Sequence, residues 1–511
     1  MRPDFLCPAP DRTFWIALTI AIDVLLSACT PSSSSAAATA AIGIGSSPFA
    51  DWGTAVLPSE GAARYRVAYD SDGELSVEAA FAPTQARQFA IDSSALGFVH
   101  EAEFERAAVW QPLKASADHF AIDCTHGCHV RYRVQLLRAG RELQDVDIAI
   151  ARGNVVFAPP STWLLRPRVA LTGQLRLTVN TTPGTVFASS LECAADSNPC
   201  QYHARASEIE QLSFAAFGPL QMRTIEVATS HLSLAMAADQ SALDVEQALH
   251  WVATSAGAIA QYYQGHLPAP RTLVLLLRGS GGPTRGKTLA EGGPAILLRA
   301  GDEITAGTTG EDWVLAHELL HVNFPYVGWD HAWFAEGFAS YVEPLARARA
   351  GLLAPAKVWR DLIEGLPQGQ PEALDQGLEN TPTWGRIYWG GALFCFVADV
   401  TIRERTQGRH SFDDVVRAVA KTGAYVEQPW PLSKVWEVGD AATGTSVLQE
   451  LYERAGLHSE TVDLDDLFQR LGVRISGAET LFDESAPLAA VRRAMTDPES
   501  NKLSSGVDET N

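Results

Sequence analysis

Hydrophobic positions along this chain change their period once. In 129–137, Val130, Tyr132, Val134 and Leu136 fall on one face, with Arg131, Arg133 and Gln135 opposite. Leu175, Leu177 and Val179 alternate in the same way with Arg176, Thr178 and Asn180. A period of two predicts half-buried strands. Turn residues at short intervals then predict a β-sandwich-like domain over 51–225. Beyond that the period lengthens. Val245, Leu249, Val252, Ala256, Ile259 and Tyr263 recur at helical spacing and predict an amphipathic helix over 241–263. Leu273–Leu277 reads as an apolar strand, the glycine-rich Gly279–Gly293 as a loop, and Ala295–Leu298 as a short strand. Helical patterns dominate from 310 to about 475. The fold class is therefore α+β: the β domain, a mixed domain over 226–365, a helical region over 366–480, and a polar, partly disordered tail over 481–511. There is no internal repeat.

One apolar run could enter a bilayer. Thr13–Ala28 follows Arg2 and Arg12; it is short for a membrane span and suits the core of a signal peptide. It closes on Leu26-Ser27-Ala28-Cys29, which resembles a bacterial lipobox. On that reading 1–28 is a lipoprotein signal, Cys29 the lipid anchor that joins the chain to a membrane, and 29–50, rich in Ser, Ala and Gly, a flexible tether. Asp23 interrupts the run, so an ordinary cleaved signal or an uncleaved anchor stays open. Either way the body is expected to be exported, facing the periplasm of a bacterial envelope. In that compartment the close pairs Cys124/Cys128 and Cys193/Cys200 are read as local disulfides. Zinc at Cys124–His129 is the alternative, and it lacks a second ligand pair nearby. Cys7 leaves with the signal, and Cys395, in an apolar run, is read as a buried thiol.

Composition narrows the partners. Of 511 residues, 46 % are hydrophobic, ample for a packed core. Lys and Arg number 39 against 60 Asp and Glu, a formal net charge of -21. So acidic a surface repels phosphate backbones and argues against general nucleic-acid binding.

The chemistry concentrates in His317-Glu318-Leu319-Leu320-His321. Residues four apart share a helix face, so both imidazoles can reach one metal, with Glu318 beside a metal-bound water. Thr308-Thr309-Gly310-Glu311 resembles a capping box that would start this helix, and Pro325 stops it. A zinc hydrolase needs a third ligand. Downstream, Asp330 can cap a second helix carrying Glu336 among Trp333, Phe334, Phe338 and Tyr341. A carboxylate in so apolar a segment needs a partner, which a zinc ion supplies. Ser340 could hydrogen-bond a ligand histidine.

HELLH followed by WFAEGFASY resembles the gluzincin metallopeptidases, and within them most closely the glycyl-aminopeptidase family. Ile387–Leu393, Ile402–Thr406, Ser411–Val415 and Leu471–Val473 match further segments of that family. The resemblance covers about 270–475 well and the β domain loosely. It implies a thermolysin-like zincin catalytic domain and one Zn2+ held by His317, His321 and Glu336. It also implies Glu318 as the base that takes a water proton and passes it to the leaving amine, and Tyr388 as hydrogen-bond donor to the oxyanion. A core tyrosine is the alternative for Tyr388. Glu291 is the best acceptor for a substrate's free amine, and His331 a possible substrate contact; a surface glutamate and a helix-end histidine are the alternatives. Six tryptophans, Trp313, Trp329, Trp333, Trp359, Trp384 and Trp389, fall near this region; they either wall a cleft or pack the core. Three departures stand out: only 14 residues separate His321 from Glu336, Pro344 falls inside the expected helix and is expected to kink it, and the family's PDZ domain has no room after 475. The expected activity is zinc-dependent hydrolysis of peptide or protein substrates, as an aminopeptidase. The alternatives are a zinc endopeptidase of the same fold and a non-catalytic peptide-binding lipoprotein.

Overall fold

The computed structural model describes residues 62–497 except 170, 195–199, 239–242, 280–282 and 302. The signal, Cys29 and the tether lie outside the described residues. Among those described, no helix is long and apolar enough to cross a membrane.

The N-terminal region is sheet-rich. An eight-stranded sheet contains the strands Ala63–Tyr69, Leu75–Phe81, Cys128–Val134 and Gln174–Thr181, and two four-stranded sheets accompany it. The period-two pattern appears directly in Cys128–Val134, where alternate residues from Cys128 to Val134 are buried. Aromatic rings join the layers: Tyr69 stacks on Phe217 at 4.8 Å, and Trp163 meets Phe217 edge-on. Disulfides join Cys124 to Cys128 and Cys193 to Cys200, and Cys395 is a buried free thiol.

A separate sheet of five strands runs in the order Leu220–Val227, Ser230–Ala237, Arg271–Arg278, Ala295–Ala300, Arg285–Leu289. Its first strand begins at Leu220, so this unit starts before residue 226. Ser230–Ala237 and Arg271–Arg278 are parallel, and the helix Val245–Tyr262 forms the crossover between them. That helix starts later than the hydrophobic pattern suggests. Asp244 caps it by accepting from the Gln247 amide at 2.8 Å, while the Gln247 side chain returns to the Asp244 amide. The segment expected as a loop over Gly279–Gly293 contains the edge strand Arg285–Leu289, antiparallel to Ala295–Ala300 with Gly286 opposite Leu298. This strand lacks the apolar alternation that reveals its neighbours.

Helices dominate the remainder. Pro344 lies within the helix Ala332–Arg349, which continues past it; a proline there leaves the carbonyl of Ser340 without its helical donor. Of the expected tail, residues 498–511 lie outside the described residues, and 481–497 is folded. Glu479–Phe482 pairs with Val473–Ser476, and the helix Ala489–Thr496 follows. Met495 is fully buried, and its carbonyl accepts from Arg349 Nε at 2.8 Å.

Candidate metal centre

The HELLH segment forms the helix Val314–Val322, whose Leu315, Ala316, Leu319, Leu320 and Val322 enter the main core. Burial of that face fixes the rotation of the helix and turns both histidines the same way. The capping box expected at Thr308–Glu311 does not form. Thr308 instead closes a local turn onto the Thr305 amide, and the helix starts with Trp313 at its cap position. Asp330 does not cap the second helix either. Trp329–His331 forms a short 3-10 turn, and Ala332–Arg349 begins after it.

Three donor atoms converge. His317 Nε2 lies 3.1 Å from His321 Nε2 and 3.2 Å from Glu336 Oε2, and His321 Nε2 lies 3.5 Å from the same oxygen. All three fall within 4.8 Å of one another, and they are the one group of this kind among the described residues. Two imidazole nitrogens aimed at each other across a carboxylate oxygen are poorly matched as mutual hydrogen-bond partners. They fit a cation between them, and two nitrogens with one oxygen is a zinc donor set. Burial opposes ionisation of Glu336, yet the charge of His321 and hydrogen bonds from both histidines hold its carboxyl far below the usual range. Burial likewise disfavours charge on His321, and Glu336, then Glu318, raise its pKa in spite of that. His317 Nδ1 is buried with no hydrogen-bond partner among the described residues, and Trp313 sets its ring edge-on to His317 at 5.4 Å. Among the described contacts, Ser340 donates to neither histidine.

Glu318 meets the edge strand. Its Oε2 accepts a hydrogen bond from Thr288 Oγ1 at 2.7 Å. Gly286 leaves the space the carboxylate occupies, since a Cβ there would stand 2.5 Å from Oε1. Neither residue was picked out by sequence reasoning; a glycine and a threonine two apart carry no signal without the strand that aligns them.

Tyr388 sits in a π-helical turn, Arg386–Gly390, with the Trp384 ring 5.8 Å away. π-Turns of this kind recur at functional sites. Arg386 anchors the turn through Asp375 at 2.8 Å and the Gly369 carbonyl. The helix that follows, Gly391–Thr406, packs on the Glu336 helix, and the Tyr341 hydroxyl donates to Asp399 across that contact at 2.8 Å.

Glu291 lies in the tip that follows the edge strand. Its carbonyl accepts from the Ser213 amide at 2.8 Å. Burial, then the neighbouring Glu208, raises the pKa of its side chain. His331 is taken up by Glu379, with Nδ1 2.9 Å from one carboxylate oxygen; it joins the helix start to the loop at 377–380.

No protein-family model and no curated protein matches the chain. Among solved structures, the fold is similar to an aminopeptidase N family protein from Idiomarina loihiensis. The TM-score is 0.61 at 15 % identity, over 81 % of this chain and 79 % of that one. An M1 zinc metallopeptidase from Deinococcus radiodurans gives a TM-score of 0.47 at 15 % identity, over 78 % and 96 %. At 15 % identity the likeness to the Idiomarina protein is one of fold: a sheet-rich N-terminal region followed by a helical C-terminal region.

Proposed function

We propose that this protein is a zinc-dependent aminopeptidase. The observation that carries this reading is the convergence of His317, His321 and Glu336, with Glu318 one residue beyond the first histidine. The similar fold of the Idiomarina protein, itself described as of the aminopeptidase N family, supports it. His317, His321 and Glu336 would hold the zinc ion, which when bound would supply Lewis-acid polarisation of the scissile carbonyl and a lowered water pKa. Glu318 takes the proton from the attacking water and hands it to the leaving amine. The Tyr388 hydroxyl donates to the oxyanion as the carbonyl becomes tetrahedral.

The exopeptidase part of the proposal rests on how the edge strand ends. Beyond Leu289 the tip is covered by the β domain: Ser213 Oγ donates to the Gly293 carbonyl at 3.0 Å, and Gly292 faces Leu191 and Leu212. On this reading a substrate laid along the strand would end at that covered tip. Glu291, in that tip, accepts the substrate's ammonium group. The segments Ile387–Leu393, Ile402–Thr406 and Ser411–Val415 favour a glycyl-aminopeptidase-like enzyme with a thermolysin-like catalytic domain. The Leu26–Cys29 motif, with two disulfides in the folded body, favours an exported lipoprotein tethered through Cys29.

Bound zinc, and hydrolysis of a panel of free-amine and N-blocked peptides, test this reading. One zinc per chain with cleavage of free-amine peptides is expected. Cleavage of N-blocked peptides alone would replace it with an endopeptidase, and zinc-loaded protein that cleaves nothing would leave a peptide-binding protein.

A further inference from the structure

The edge strand does more than border the sheet. Gly286 and Thr288 lie two apart, so they share one face of the strand, and that face meets Glu318. The Thr288 hydroxyl donates to Glu318 Oε2 at 2.7 Å and lies 3.1 Å from the Glu318 carbonyl oxygen. Gly286 leaves room for the side chain, with Oε1 alongside. The strand is antiparallel to its neighbour with Gly286 opposite Leu298 and Thr288 opposite Ile296, both of those partners being fully buried. The hydroxyl is therefore delivered from a fixed backbone.

A glutamate carboxylate, set by three rotatable bonds, has several orientations open to it. A charge-assisted hydrogen bond to one oxygen selects among them. With Oε2 held by Thr288, Oε1 is the oxygen that has no hydrogen-bond donor among the described residues. We propose that Thr288 is the positioning residue of Glu318, holding Oε2 so that Oε1 is the proton-accepting oxygen, with Gly286 providing the space for that pose. This rests on the reading of Glu318 as the base.

Thr288→Val keeps the shape and removes the donor, and Thr288→Ser keeps the donor. Steady-state kinetics of the two, with zinc content, thermal unfolding and a crystal structure of Thr288→Val, form the test. In Thr288→Val, kcat is expected to fall roughly 10- to 100-fold with KM within about twofold. Zinc content and unfolding temperature stay at the wild-type values, and the Glu318 carboxylate leaves the strand. Thr288→Ser recovers kcat to within about threefold of wild type. An unchanged kcat in Thr288→Val, or a serine variant as impaired as the valine one, overturns the proposal. If wild type proves inactive, or Glu318→Gln keeps full activity, the assignment of Glu318 as base fails on its own. The crystal structure still decides the positioning role, since a Glu318 side chain unmoved in Thr288→Val overturns it.

Discussion

Gly337 and Gly391 meet backbone to backbone. A methyl group on Gly337 would stand 2.6 Å from the Ala392 amide nitrogen, and one on Gly391 would stand 2.8 Å from Gly337 Cα. Gly337 follows the metal-ligand candidate Glu336, and Gly391 follows the turn that carries Tyr388. The absence of two side chains therefore sets the distance between two parts of the proposed site. Gly337→Ala is expected to push the helices apart, costing about 1–3 kcal/mol in chemical denaturation. It should also lower kcat/KM by more than the fraction unfolded explains.

Tyr388→Phe leaves the ring, and its neighbour Trp384, in place and removes one donor. Loss of an oxyanion donor typically lowers kcat by about 10²–10³. We expect that range with little change in KM, measured by steady-state hydrolysis of a free-amine peptide. Unchanged kcat would return Tyr388 to the core-tyrosine alternative.

Asp413 lies among Arg349 at 2.7 Å, Arg403 at 3.9 Å and Arg417 at 4.0 Å. Burial opposes its ionisation, but Arg349, Arg417 and Arg403 overcome this and pull its pKa down to about 2. An unfolded aspartate titrates near 3.9. The folded value is the lower one, so the stabilisation is complete above about pH 4 and is lost as pH falls through about 2. Asp413→Asn leaves buried guanidinium groups without their carboxylate, which costs about 3–5 kcal/mol near neutrality. Urea titrations from pH 7 to 2 should show that difference shrink toward the acid end.

Chelation should abolish hydrolysis, and added Zn2+ should restore it. Binding to the folded state alone also raises stability, by about 2.7 kcal/mol at one hundred times Kd. The unfolding temperature is therefore expected to drop on metal removal. Glu336→Gln should lose most of this zinc-dependent shift in a thermal melt while retaining its fold.

The metal centre was legible because its signal is local. His317 and His321 need only one helix turn to align, and Glu336 stands out as a carboxylate in an apolar segment. The rest of the site depends on contacts distant in sequence. The edge strand was missed because its inner face meets a carboxylate, so it uses Gly286 and Thr288 where a core-facing strand would use apolar residues. The role of Gly337 is equally silent until Gly391, more than fifty residues on, is packed against it. Helix ends misled for a related reason. Thr308–Glu311 has capping-box residues, but Thr308 bonds back to Thr305 and the chain turns before the helix begins. At the other end, the polar sequence after 481 conceals Met495, which the core takes up through the Arg349 contact.

The central claim is that Glu318 performs proton transfer at a zinc site built by His317, His321 and Glu336. Its most direct test compares wild type and Glu318→Gln, matched for zinc content, in hydrolysis of one free-amine peptide. The account predicts equal zinc and a kcat lowered by at least about 10² in the variant. Zinc-matched Glu318→Gln with wild-type kcat would contradict it.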